Sequence, residues 1–391
     1  MTELAARPTI PESRHVERLE AARRLIGEHG LSALLVGVGP DLRYLTGYMA
    51  MPLERLTMLV VRARPPTILI VPRLEADPAR RSAAVAEGAV EVVTWEETDD
   101  PCDLVADAVG KIGPIEASPG VGVNDTLWAL HLLRLQAALP GVRFGSASPI
   151  TGALRVVKDA DEIELLRRAA QAADRVVDQI AAGRLVGRTE ADVARETRDR
   201  LIAEGHERAD FAIVASGPNA SSPHHEASDR VIQAGEPIVL DIGGLFAGYA
   251  SDTTRTIWPT GGDPGKTPDA EFLGAFEVLR RAQAAATAAV QPDVQVERID
   301  ATAREIIAEA GHGPNFIHRT GHGIGLEVHE DPYLVAGNAQ PLRTGMAFSV
   351  EPGIYVEGRW GMRLEDIVVC GPSGPDSLNR SSLDLRVVDG I

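Results

Sequence analysis

The chain has 391 residues, 44% of them apolar and 24% charged, with a net charge of −17 and two cysteines. That length points to two domains, each able to bury its own core, and the composition is that of a water-soluble globular protein. The acidity argues against a general binder of nucleic acid or anionic membrane; Cys102 and Cys370, far apart and in no metal-ligand spacing, argue against a disulfide framework.

The first 24 residues lack the apolar core of a signal peptide, and no run reaches membrane-span length, so a cytoplasmic protein is expected. Val16, Leu19, Leu25 and Ile26 share one helical face that Gly30 ends. ALLVGV (Ala33–Val38), TMLVV (Thr57–Val61) and TILIV (Thr67–Val71) follow as strands. Residues 1–150 thus read as a mixed α/β domain with no phosphate loop and no cluster of catalytic residue types. The Gly-, Ser- and Pro-rich segment Gly145–Glu162 reads as the junction to a second domain, 151–391.

That second domain repeats itself. Asp161–Ile180 has apolar residues at helical spacing, with Asp159 and Glu162 as an N-cap pair. Thr189–His206 is a second helical segment. About 110 residues later the order recurs: Glu271–Val290, with Thr267 and Pro268 as N-cap and N1, and then Val296–His312. Apolar strand-like segments follow each pair. One domain built from two similar halves is expected.

The strands carry acids where a buried sheet has no use for them. PIVLDIGG (Pro237–Gly244) reads as a strand covered on both faces, yet it holds Asp241, and an unpaired buried carboxylate is costly. Asp252 lies across a turn at Phe246–Gly248, which makes a hairpin with two carboxylates. The second half offers Glu351 and Glu365 across EGRWG (Glu357–Gly361) in the same arrangement, with Asp366 on the opposite strand face. Four converging acids repel unless cations compensate, and two divalent metals sharing carboxylates satisfy that need. HRTGHGIGLEVHEDP (His318–Pro332) supplies imidazoles: His322, in a tight close-packed turn, can approach a metal, and His329 can bind substrate or move a proton. His224 and His225 lie in a Pro/Ser-rich loop; one of them is functional if that loop covers the site. His15, His29, His131, His206 and His312 read as structural.

At these residues the sequence resembles the pita-bread metallopeptidases, a family that includes Xaa-Pro dipeptidase (prolidase), aminopeptidase P, methionine aminopeptidase and the metal-free creatinase. The resemblance implies an α+β protein: a creatinase/prolidase-type α/β N-terminal domain, then a pita-bread domain with a pseudo-twofold internal repeat. It implies that Asp241 chelates one metal, that His322 and Glu351 hold the other, and that Asp252 and Glu365 bridge the two. A hydroxide between the metals would attack the scissile carbonyl, with Glu351 as acid/base partner. His224 and His329 match the family's non-ligand active-site histidines, and His318 and Arg363 match further positions around the substrate. Arg363 also reads as a charge partner of Glu365 or Asp366. Acid or His at all five ligand positions disfavours the metal-free reading, and the N-terminal domain disfavours methionine aminopeptidase. The implied substrate is a peptide with proline after the scissile bond, the implied metals Mn²⁺ with Co²⁺, Zn²⁺ or Fe²⁺ as alternatives, and the implied assembly a homodimer. One departure is Tyr333, because some dipeptidases place an arginine just after HExP to grip the substrate carboxylate; longer Xaa-Pro peptides therefore stay open. A hydrolase of a small non-peptide amide or amidine, and a non-catalytic binding protein of this fold, are the other readings.

Overall fold

A computed structural model describes residues 9–110 and 120–391. The first eight residues of the N-terminal stretch therefore lie outside the described residues. The chain divides into two compact units, Ile10–Arg155 and one built on Val156–Ile391. Among the described residues, no helix is long and apolar enough to cross a membrane.

In the N-terminal unit the helix Glu12–Glu28 buries Leu19, Ala22 and Ile26. Six strands form one sheet: β1 (Ala33–Gly37), β2 (Met58–Arg62), β3 (Ile68–Pro72), β4 (Glu91–Trp95), β5 (Val121–Val123) and β6 (Phe144–Ser146), in the order β4-β3-β2-β1-β5-β6. The β1–β2 and β2–β3 pairs are antiparallel and the remaining three parallel, so the sheet is mixed. The Gly145–Glu162 segment is not a plain linker. Ser148–Arg155 forms a helix within it, burying Ile150 and Thr151, and the unit boundary falls directly after Arg155.

The C-terminal unit holds the two halves. Ala160–Ala181 begins with a complete capping box, Asp159 and Glu162 each accepting the other's backbone N–H. With Glu190–Ala203 it covers a sheet of β7 (Arg208–Ser216), β8 (Ile238–Phe246) and β9 (Tyr249–Pro259). In the second half, Ala270–Ala288 and Val296–Glu309 cover β10 (Gly321–Gly323), β11 (Glu330–Leu334), β12 (Ala347–Val350), β13 (Gly353–Val356), β14 (Trp360–Arg363), β15 (Asp366–Gly371) and β16 (Gly374–Ser377). Helix pair on sheet thus occurs twice, as the repeat requires. β17 (Arg386–Val388) pairs parallel to β9. The third long helix starts later than the sequence suggests. Asp269, not Thr267, caps it, accepting the Phe272 N–H at 2.8 Å; a carboxylate at the N-terminus also meets the helix dipole.

His206 has the surroundings of a structural histidine. It is buried, its Nδ1 meets the Leu201 carbonyl at 3.1 Å and its Nε2 the Ser251 hydroxyl at 2.8 Å. Burial pulls it down to about 4 from 6.5. Because the folded value is the lower one, its contribution is intact above pH 6.5 and is lost as pH falls toward 4. Wild-type protein is expected to lose roughly 2 kcal/mol more than His206→Gln between pH 7 and 5. Urea midpoints of the two proteins at both pH values check this; parallel losses would place the acid sensitivity elsewhere.

Candidate metal centre

Period-two alternation decides where the first two acids point. Ile238, Leu240 and Ile242 of β8 join the core beneath the helices, so Asp241 faces the other way. Gly243 pairs with Asp252 and Asp241 with Thr254, which puts both carboxylates diagonally on one face of the β8–β9 hairpin. The turn is Ala247-Gly248, both at positive φ, the geometry of a two-residue hairpin loop.

The second hairpin departs from the simple expectation. It is broken at the acids: Val350 pairs with Asp366 and Gly353 with Arg363, while Glu351 and Glu365 fall between the two ladders. Their backbone N–H groups bond elsewhere, Glu351 to the Thr320 carbonyl at 2.8 Å and Glu365 to the Thr254 carbonyl at 3.1 Å. Glu365 is thereby attached to the first hairpin, and its Oε2 accepts from the Thr254 hydroxyl at 2.7 Å. His322 lies on a short strand rather than in a turn. A Cβ on Gly321 would strike the Ser349 carbonyl and one on Gly323 the Asp331 carbonyl, so only glycine lets β10 lie this close to its neighbours.

These elements bring all five residues together. Ligand atoms of Asp241, Asp252 and Glu365 lie within 4.8 Å of one another, as do those of His322, Glu351 and Glu365, so Glu365 belongs to both groups. A third group joins Asp252, His322 and His329. His322 Nε2 stands 3.3 Å from Glu351 Oε1 and 3.6 Å from Asp252 Oδ2. Its Nδ1 contacts the Gly323 carbonyl at 3.1 Å, which can only accept, so in the neutral ring Nε2 presents a lone pair to carboxylate oxygens.

Without a cation that arrangement is electrostatically poor. Burial first, then the charges of Glu365, Asp241 and Glu351, push Asp252 well above the carboxylate range. Glu365 is pushed up likewise, by burial and then by Glu351 and Asp241. Burial lifts Glu351 to about 7, with Arg363 opposing and Asp241 assisting. His322 falls to about 3, mainly by burial and then by His329. Asp241 Oδ1 and Glu365 Oε1 are buried with no hydrogen-bond partner among the described residues. Orphaned carboxylate oxygens, a carboxylate common to two groups and an unprotonated imidazole fit divalent cations that prefer oxygen with some nitrogen.

Above the cluster lies a cavity of about 710 Å³, lined by all five residues and by His224, His318, His329 and Arg363. Of the loop histidines, His224 faces the cavity, whereas His225 Nε2 donates to buried Glu190 at 2.8 Å. His318 borders the cavity, yet both its nitrogens are engaged: Nδ1 donates to the Arg319 carbonyl at 2.7 Å and Nε2 accepts from the Tyr355 hydroxyl at 2.9 Å. Arg363 donates to Tyr355 and ion-pairs with Asp241, not with Glu365 or Asp366. Asp366 is taken by Arg255, which is wholly buried and donates to it at 2.7 Å from the sheet's other side.

Sequence reasoning missed Tyr355, Arg319 and Glu190. Gly353 pairs with Arg363, and the alternation in GIYV puts Tyr355, two residues on, on the same strand face as Gly353, which would have drawn attention to it. Nothing local distinguishes Arg319 or Glu190.

Residues 164–372 match metallopeptidase family M24, and residues 18–157 match the creatinase/prolidase N-terminal domain. The chain belongs to metallopeptidase family M24, with a creatinase-type N-terminal domain before the pita-bread domain. It is 44% identical over 375 residues to the probable dipeptidase PepE of Mycobacterium tuberculosis, covering 96% of each chain. Its identity to a Xaa-Pro dipeptidase of Lactobacillus helveticus is 34% over 348 residues, 88% of this chain and 92% of that one. The crystal structure of dipeptidase PepE from Mycobacterium ulcerans superimposes with a TM-score of 0.89 at 45% identity, covering 97% of this chain and 99% of that one.

Proposed function

We propose that the protein is a metal-dependent peptidase that cleaves the Xaa-Pro amide bond of dipeptides or short peptides. The observation that carries this is the convergence of Asp241, Asp252, His322, Glu351 and Glu365 on the floor of one cavity, with buried carboxylate oxygens left unpartnered. Proline specificity takes its support from relatives named Xaa-Pro dipeptidase.

Asp241, Asp252 and Glu365 would hold one divalent cation, and His322, Glu351 and Glu365 a second, with Asp252 shared. When bound, such cations lower the pKa of water and polarise the scissile carbonyl. Glu351, which accepts from the Ser349 hydroxyl at 3.3 Å and lies within the field of Arg363, would accept the proton of the attacking water and return it to the departing proline nitrogen. His224 and His329 would hydrogen-bond the substrate and the tetrahedral oxygens. His329 is pulled below its ordinary value, mainly by burial, and so serves as a neutral imidazole. Arg363 would orient Asp241 and, with His318, form the wall against which the substrate rests, Tyr355 holding both from behind. Mn²⁺ is the proposed occupant, Co²⁺, Zn²⁺ or Fe²⁺ being compatible with the same donors. A homodimer in the cytoplasm completes the reading; two buried free cysteines are in keeping with a reducing compartment.

The test is proline release from Ala-Pro by metal-stripped protein after Mn²⁺ is added back, beside an Ala-Pro-initiated tripeptide. Chelator-sensitive release from the dipeptide is the expected result. Cleavage of the tripeptide alone would move the assignment to an aminopeptidase P activity. Failure on both, with metal bound, would reject proline peptidase activity in favour of a small-amide hydrolase.

A further inference from the structure

The cavity wall carries two guanidinium groups, Arg363 and Arg319, and they differ in what remains free. Arg363 is buried and spent. It ion-pairs with Asp241, donates to the Tyr355 hydroxyl at 2.9 Å and the Pro223 carbonyl at 3.1 Å, and meets the Thr254 hydroxyl at 3.2 Å. The Arg319 guanidinium lies with its Cζ 4.3 Å from the centroid of the Tyr333 ring. Among the described residues it makes no side-chain hydrogen bond and no ion pair. It is partly exposed and borders the same cavity as His224, His322 and His329.

Its backbone, by contrast, is fixed. The Arg319 carbonyl accepts from His318 Nδ1 at 2.7 Å, and Thr320 is held through its N–H and hydroxyl by Asp300 at 3.0 and 2.8 Å. Tyr333 is pinned as well, standing opposite His322 in the β10–β11 ladder. A guanidinium stacked on an aromatic face keeps its N–H edge for a ligand, and that edge matches a carboxylate in two parallel hydrogen bonds.

We propose that Arg319, carried on Tyr333, receives the free C-terminal carboxylate of the substrate and so selects peptides that end one residue after the scissile bond. This rests on the peptidase reading above and narrows it to dipeptides. Tyr333 then is not a lost carboxylate receptor but the platform of another.

The experiment compares Ala-Pro with Ala-Pro amide in Mn²⁺-loaded wild type, Arg319→Gln and Arg319→Lys. For Arg319→Gln, KM for Ala-Pro is expected to rise on the order of 10- to 100-fold, as for loss of a charge-assisted pair. The amide is expected to lose at least tenfold less, and Arg319→Lys to recover part of the acid's binding. Equal losses on acid and amide, or a wild type indifferent to the two, would overturn the proposal. Calorimetric binding of L-proline and prolinamide separates it from the peptidase reading. If neither dipeptide is cleaved, proline that binds wild type and not Arg319→Gln still supports a carboxylate receptor. Proline bound equally by both proteins, or by neither, rejects it.

Discussion

Glu365→Gln is expected to lower turnover by on the order of 10³-fold or more, since several kcal/mol of cation-borne charge stabilisation is withdrawn. Asp252→Asn is expected to behave the same way. Both acids are buried in the cluster, and Glu365 belongs to two ligand groups at once. Metal content per chain after dialysis is expected to fall with activity. The stability effect changes sign with the metal. In metal-free protein Glu365 titrates far above its unfolded value of 4.5, so its share of stability is present below pH 4.5 and is lost as pH rises. Glutamine removes that loss, and metal-free Glu365→Gln is expected to melt above metal-free wild type at pH 8. With Mn²⁺ in excess the order reverses, because wild type gains about 4 kcal/mol at a thousandfold excess over Kd and the variant gains little. Thermal melts with chelator and with Mn²⁺ check both signs. A variant that keeps its full metal content and its turnover would sink the assignment.

The second large effect is expected at Glu190, which never touches the cavity. It is the first residue of the Glu190–Ala203 helix and is wholly buried. Its Oε1 accepts from the Ser216 N–H and hydroxyl, both at 2.8 Å; its Oε2 accepts from His225 at 2.8 Å and the Ser228 hydroxyl at 2.7 Å. Asn219 reaches both oxygens at 3.1 Å. One carboxylate thus holds both ends and the middle of the segment that presents Pro223 and His224. Burial alone would raise Glu190, but hydrogen bonds from Ser228, Ser216 and His225 outweigh it and bring it down to about 2. Being depressed, it contributes stability above pH 4.5 that is lost as pH falls toward 2. Glu190→Gln turns an acceptor into a donor facing donors, and roughly 3 kcal/mol is expected to be lost at pH 7. For a unit of this size that is about 6–12 °C in Tm. Loosening His224 is expected to reduce kcat by up to about 10²-fold with metal content unchanged. Differential scanning calorimetry and steady-state kinetics decide it, and wild-type values in both would show the loop to be held by other contacts.

Much of the candidate site was legible because its signals are local. A carboxylate in PIVLDIGG contradicts the strand around it, and period-two alternation alone says that Asp241 must face away from Leu240 and Ile242. The capping box at Asp159 and Glu162 lies within one turn of chain, and it formed as expected. The N-cap of Ala270–Ala288 was less legible because Thr267 and Asp269 compete over two residues, and the carboxylate prevails. Partners remote in sequence were not legible at all. Arg363 was expected beside Glu365 or Asp366, its neighbours in sequence, but Arg255 reaches Asp366 from the first hairpin and leaves Arg363 to Asp241.

The sequence by itself determined the two-unit order, the repeated helix pairs and the acids and imidazoles that the strands would carry, because propensity and alternation act over a few residues. Only the tertiary structure decided that the second hairpin breaks at Glu351 and Glu365, that Glu190 clamps the His224 loop and that Arg319 stands free on Tyr333. Each of these depends on which backbone and side-chain groups find partners across the fold, and buried polar groups take the partner that packing brings near, wherever it lies in the chain.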